Sequence, residues 1–172
     1  MGAGISGIAA GYNLKKSCPN KSFLILEGRD SIGGTWDLFK YPGIRSDSDM
    51  HTLGYRFKPW IHDKSIADGP SILEYLKETI AENNLMKDIQ LNHKVSSANW
   101  NSKKSLWELE VYEGSLNKKM TCNFLFLCGG YYSYTKPHMP YFNNQENFQG
   151  QIIHPQFWNN SIDCKNKKIA VI

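Results

Sequence analysis

Gly2, Gly4 and Gly7 stand at the spacing G-x-G-x-x-G, and Glu27 follows about 20 positions later. Glycines in that order allow a tight turn, let backbone approach a pyrophosphate, and let the next helix pack close to its sheet. The phosphates then rest on a helix N-terminus, where unpaired N–H groups and the helix dipole favour negative charge. A carboxylate at Glu27 would accept a hydrogen bond from an adenosine ribose 2′-hydroxyl and repel a 2′-phosphate, so the pattern suits FAD or NAD at this site rather than NADP. The plain alternative for Glu27 is an ordinary solvated strand end, which the spacing disfavours. In a chain with 14 glycines the spacing alone is a weak signal.

Three further stretches carry chemistry. Gly33-Gly34-Thr35-Trp36 offers backbone that can come close to a ligand and an indole face for a ring. Gly129-Gly130 ends an apolar run, at the carboxyl end of a strand where doubly wound sheets bind ligands. Asp47 lies in a Ser/Asp-rich loop where a turn cap is the plain alternative to a site role. Cys18, Cys122, Cys128 and Cys164 form no CxxC pair and the five histidines show no ligand spacing, so neither a redox-active disulfide nor a metal site is expected.

These residues need elements to hold them. Ile5 to Lys16 can run as a helix with Ile8, Ala9 and Tyr12 on one face, broken at Ser17-Cys18-Pro19-Asn20. Phe23 to Leu26 is a short apolar run that predicts a buried parallel strand ending in Glu27. Residues 37 to 60 show little regular periodicity, and a loop that long is usually functional. Asp68-Gly69-Pro70 opens a helix with a stripe of Ile72, Leu73, Leu76 and Ile80 that stops at Asn83-Asn84. Ile89 to Val95, Leu106 to Tyr112 and Thr121 to Cys128 predict three strands, the last buried, separated by turns at Asn101-Ser102 and Gly114-Ser115. The class is therefore α/β, a Rossmann-like fold with a small antiparallel β insertion.

At 172 residues and 41% hydrophobic content the chain can bury one core of ordinary size. The formal charge of +4 is mild and the lysines are scattered, so nucleic acid is not an expected partner. No apolar stretch reaches about 18 residues and no signal peptide is present, which predicts no membrane span and a cytoplasmic location with reduced thiols. The glycine motif calls for a strand before Gly2, and Lys167 to Ile172 looks like the opening of another strand. Both ends therefore suggest an internal piece of a larger protein, truncated on each side.

In order, G-x-G-x-x-G, Glu27, Gly33-Gly34-Thr35-Trp36, Tyr41-Pro42-Gly43 with Arg45 and Asp47, Cys128-Gly129-Gly130 and Phe148-x-Gly150-x-x-x-His154-x-x-x-Trp158 form one pattern. The sequence resembles the class B flavoprotein monooxygenases, and within them the Baeyer–Villiger enzymes, whose fingerprint is FxGxxxHxxxW followed by Pro or Asp; here Asn159 follows. The resemblance implies an FAD-binding domain at 1–135, a linker carrying the fingerprint at 136–166 and the first strand of an NADPH-binding domain at 167–172. It implies that Gly2, Gly4 and Gly7 hold the pyrophosphate, Glu27 the ribose and the Val95 backbone the adenine, with Gly34, Thr35 and Trp36 along the flavin. Asp47 would be a buried active-site carboxylate orienting an arginine that lies outside this sequence. Phe148, Gly150, His154 and Trp158 would couple movement of the two nucleotide domains. Single bland readings are a surface histidine for His154 and a core anchor for Trp158.

The implied reaction uses FAD, NADPH and O₂. A C4a-peroxyflavin inserts one oxygen atom beside a ketone carbonyl or onto a thioether or amine, with the cofactor carrying the chemistry. Two alternatives stay open: an amine- or sulfide-oxygenating flavin monooxygenase, and a non-catalytic FAD-binding fragment.

Overall fold

A computed structural model describes residues 1–172. The regular elements are α1 (Ile5–Ser17), β1 (Ile25–Leu26), α2 (Thr35–Leu38), α3 (Met50–Leu53), α4 (Gly69–Glu82), β2 (Ile89–Gln90), β3 (His93–Asn101), β4 (Leu106–Glu113) and β5 (Leu116–Cys122). β1 pairs with β2 in parallel, Ile25 opposite Ile89, while β3, β4 and β5 form a separate antiparallel sheet in that order. The fold is mixed α/β with a Rossmann-like parallel sheet and a small antiparallel one.

Successive strand residues point to opposite faces, and β1 uses this to join two cores. Ile25 faces a cluster containing Ile8 of α1, Ile72, Tyr75, Leu76 and Ile80 of α4, and Ile89 of β2. Leu26 faces the other way, against Leu109 and Val111 of β4. The short parallel sheet is thus the middle layer, with α1 and α4 on one side and the antiparallel sheet on the other.

Local chemistry sets the helix ends. Asp68 caps α4 by accepting from the Ser71 N–H at 2.9 Å, and Pro70 sits in the first turn. The Lys15 ammonium at the end of α1 donates to the Asn83 and Asn84 carbonyls at 2.9 and 2.8 Å, tying together the two helix C-termini. Tyr75 donates to the Lys58 carbonyl at 2.6 Å and accepts from the Tyr55 N–H at 2.7 Å, and the Tyr55 hydroxyl donates to the Ile5 carbonyl at 2.7 Å. This buried pair anchors the first turn of α1 to the long loop, and burial pushes both phenols above their ordinary titration range.

Several elements differ from the sequence reading. The segment 37–60 contains the end of α2 and all of α3, the latter capped by Asp49 accepting from Thr52, and it buries Met50, Tyr55 and Trp60. Of Phe23 to Leu26 only Ile25 and Leu26 pair, because the neighbouring strand is equally short. Ile89 to Val95 is two strands, broken where Asn92 takes a positive φ of 58° and its N–H turns to the Arg29 carbonyl. The break lets the chain leave one sheet and enter the other.

The run from Phe124 to Cys128 is not buried. β5 ends at Cys122, and Phe124 and Leu127 are 82% and 71% exposed because neither core reaches their side chains. Backbone pairing does occur there: the Met1 nitrogen donates to the Phe126 carbonyl at 2.8 Å and Cys128 N–H to the Met1 carbonyl at 2.9 Å. Gly2 N–H donates to the Leu26 carbonyl at 2.8 Å, so residues 1 to 3 lie in the strand position that the glycine motif calls for. Lys167 to Ile172 forms no strand; Val171 and Ile172 are almost fully exposed, with no neighbouring strand to pair with.

Candidate functional site: a cleft at the strand ends

Where β1 and the 126–128 segment end, the chain opens a cleft of about 340 Å³. Its floor is the glycine turn. Gly2 has a φ of +96°, and a Cβ there would stand 2.5 Å from the Cys128 carbonyl oxygen, so no other residue fits without moving backbone. Gly4 caps α1 without any side-chain hydrogen bond, leaving the first-turn N–H groups of the helix toward the cleft. Gly7 lies behind the turn, where a Cβ would collide with the Gly2 carbonyl. Close approach of α1 to β1 is supplied further along, by Gly11 against Ile25.

Glu27 is 5% exposed, with Oε2 accepting from the Ala3 N–H at 2.7 Å and Oε1 from the Arg29 N–H at 3.0 Å. It is therefore not a solvated strand end. The carboxylate braces the glycine turn against β1 and retains lone pairs toward the cleft. Opposite it, Gly33 and Gly34 take φ values of 110° and 55°, and a Cβ on Gly34 would press on Gly4 Cα at 3.1 Å. Gly34, Thr35 and Trp36 line the wall that this contact creates. Val95 lines the far end, on β3 just before a register shift between Val95 and Ser97.

The cleft thus brings together Gly2, Gly4, Glu27, Gly34, Thr35, Trp36 and Val95. It also includes residues not singled out from sequence, notably Arg29, Lys94 and Tyr134. Arg29 donates to Asp37 Oδ2 at 2.6 Å and lies 5.7 Å from the Tyr134 ring. Burial would raise the Asp37 carboxyl, but hydrogen bonds from Ser31, Lys40 and Arg29 outweigh it and hold the group below its ordinary range. Burial and the Glu27 charge push the Tyr134 phenol up, against the opposing Arg29. An Arg two residues past the strand-end carboxylate and an Asp ten past it gave no periodic signal; only the fold makes them neighbours.

Asp47 is placed differently from its expectation. It is exposed and lies outside the cleft, in a shallow neighbouring pocket with Tyr41, Gly43, Arg45, Ser46 and Ile66. No element covers this loop, so its carboxylate stays in solvent; the turn cap in the same stretch is Asp49. The 148–158 segment lies outside the cleft as well. Phe148 is 62% exposed with its ring folded over Gly150, while His154 and Trp158 are half-buried. His154 Nδ1 accepts from the Gln156 N–H at 3.1 Å.

Family comparison decides the lineage. The flavin-binding monooxygenase-like family matches residues 57–172, and the NAD(P)-binding Rossmann-like domain matches residues 1–63. The chain belongs to the flavin-binding monooxygenase-like family. Among curated relatives of this flavin-binding monooxygenase-like chain, the FAD-containing monooxygenase EthA of Mycolicibacterium smegmatis is 53% identical over 172 residues, which is 100% of this chain and 35% of the relative. The chain therefore spans about a third of the length of such relatives. Among solved structures, an oxidized steroid monooxygenase bound to NADP matches with a TM-score of 0.75 at 26% identity, covering 93% of this chain and 30% of that one. A complex of OTEMO with FAD and NADP matches with a TM-score of 0.71 at 25% identity, covering 92% and 29%. No helix is long and apolar enough to cross a membrane.

Proposed function

We propose that residues 1–172 form the FAD-holding part of an NADPH-using flavoprotein monooxygenase that places one oxygen atom from O₂ into a ketone or onto a soft sulfur or nitrogen atom. The observation that carries this reading is the convergence of the glycine turn, Glu27, Gly34 to Trp36 and Val95 on one cleft at the strand ends. The residues fit the cofactor: contact between Gly4 and Gly34 leaves backbone where side chains would otherwise fill the cradle, and the buried Glu27 carboxylate stands just past the end of β1, where folds of this type hold a ribose. The curated relatives and the FAD- and NADP-bound neighbour structure support the same assignment.

In this reading the N–H groups at the start of α1 and the Gly2 to Gly4 backbone hold the pyrophosphate, and Gly7 keeps the helix seated behind them. Glu27 accepts from the ribose, the Val95 backbone meets the adenine, and Gly34, Thr35 and Trp36 flank the ring system. FAD, when bound, supplies hydride acceptance from NADPH and the activation of O₂. Asp47, open to solvent in its own pocket, orients a cation contributed by another part of the protein. Residues 1–135 serve as the FAD domain, 136–166 as a linker with Phe148, Gly150, His154 and Trp158, and 167–172 as the lead into an NADPH-binding domain. Substrate is a small organic molecule, and Trp158 favours ketone over thioether or amine. The enzyme works in the cytoplasm, in keeping with four unpaired cysteines.

The absorbance spectrum of the purified protein with added FAD tests the assignment. Flavin bands near one equivalent are expected, and a protein that retains no flavin would remove the reading. Product analysis with a ketone and a thioether then separates Baeyer–Villiger from heteroatom oxygenation.

A further inference from the structure

Between Gly130 and Phe148 every residue is exposed except Tyr134 and Pro137. Tyr134 turns inward to line the cleft, with its ring facing the Arg29 guanidinium at 5.7 Å. Arg29 in turn is fixed on the Asp37 carboxylate at 2.6 Å and on the Gly34 carbonyl at 3.5 Å. What holds Tyr134 comes from further along the chain. The Gln156 side-chain amide donates to both the Ser133 and the Tyr134 carbonyls, 2.9 Å each. Gln156 is itself set by the Pro155–Phe157 turn, through its N–H on His154 Nδ1.

Little else pins this stretch. Lys136 N–H bonds Ser133 Oγ locally, and the Tyr132 ring meets Phe39 edge-on at 5.0 Å. The Tyr134 hydroxyl makes no hydrogen bond, so the ring face alone is what Arg29 meets. Three stretches far apart in sequence therefore meet in a line that ends on the cleft wall.

We propose that Gln156 and Tyr134 form a latch that ties the 154–158 segment to the cleft and keeps its wall closed over a bound dinucleotide. Gln156 is a positioning residue: it lies outside the cleft lining and acts by seating Tyr134 on Arg29. The part concerning the dinucleotide rests on the FAD reading above; the tie itself does not.

Two measurements on the purified protein test the latch. The first needs no flavin: limited chymotrypsin digestion, following cleavage after Tyr134 relative to cleavage after exposed Tyr131. In Gln156→Leu the Tyr134 cut should rise about fivefold to tenfold, the loss of two amide-to-carbonyl hydrogen bonds. An unchanged digestion pattern overturns the latch. The second is FAD affinity by flavin fluorescence. Gln156→Leu and Tyr134→Ala should each weaken binding about fivefold to tenfold, while Tyr134→Phe, which keeps the ring face, stays within about twofold of wild type. In the double variant Gln156→Leu/Tyr134→Ala the losses should not multiply, because both remove the same contact. Multiplying losses, or Tyr134→Phe as weak as Tyr134→Ala, would overturn it. A wild-type protein that takes up no FAD but shows the digestion response would sink the cofactor reading and leave the tie standing.

Discussion

Glu27 shows how one side chain can serve both structure and site. Its two oxygens accept from Ala3 and Arg29 N–H groups, so the carboxylate proposed to hold the ribose also holds the glycine turn in place. Glu27→Ala should weaken FAD retention by about 1–3 kcal/mol and also lower Tm, since the buried Ala3 N–H loses its acceptor. An FAD affinity equal to wild type would rule out the ribose role. Asp37 gives a pH signature. Its carboxyl titrates below the ordinary 3.8 in the folded protein, so its contribution is complete at neutral pH and is lost as pH falls below 3.8 through the lowered value. Asp37→Asn should therefore melt earlier than wild type near neutral pH, with the gap narrowing in melts taken toward about pH 3. A constant gap would mean that the carboxylate charge is not what stabilises this loop. Glu27 was legible in the sequence because its distance from the glycines is fixed by one helix and one strand. Arg29, Asp37 and Tyr134 were not, because their meeting depends on how two loops fold back.

At the scale of elements, legibility followed local chemistry. α1 and α4 carry their own start signals and apolar spacing, and the structure places them within a residue or two of the reading. Asp68→Ala should cost about 1 kcal/mol, the usual worth of an N-cap, read as a lower Tm with FAD affinity unchanged. Tyr75→Phe should cost about 1–3 kcal/mol, because the buried Tyr55 N–H is left without an acceptor. A Tm equal to wild type would show that water replaces the hydroxyl. The strands were harder. β1 and β2 are each two residues long, too short for any periodic signal, and the split between β2 and β3 turns on one asparagine with a positive φ. β4 was plain because Leu109 and Val111 alternate with glutamates on a strand covered on one face.

For the whole molecule, one cleft of the dinucleotide type is present, and the chain spans 35% of the length of the relative it matches at 53% identity. Residues 1–172 alone are expected to consume no NADPH in the presence of FAD and a ketone; turnover by that polypeptide, followed at the NADPH absorbance band, would refute the division into an FAD part and a separate reductant part. Phe124, Phe126, Leu127 and the last residues show apolar patterning with no cover, which is why an apolar run read as buried is exposed here. By itself the sequence determined the α/β class, the glycine turn, helices α1 and α4 and the carboxylate just past β1, because each depends on neighbours within about one helix and one strand of chain. Only the tertiary structure decided which residues share the cleft, that Asp47 stands outside it, and that Gln156 reaches Tyr134. Those are contacts between loops, set by how layers pack and not by the spacing of residues along the chain.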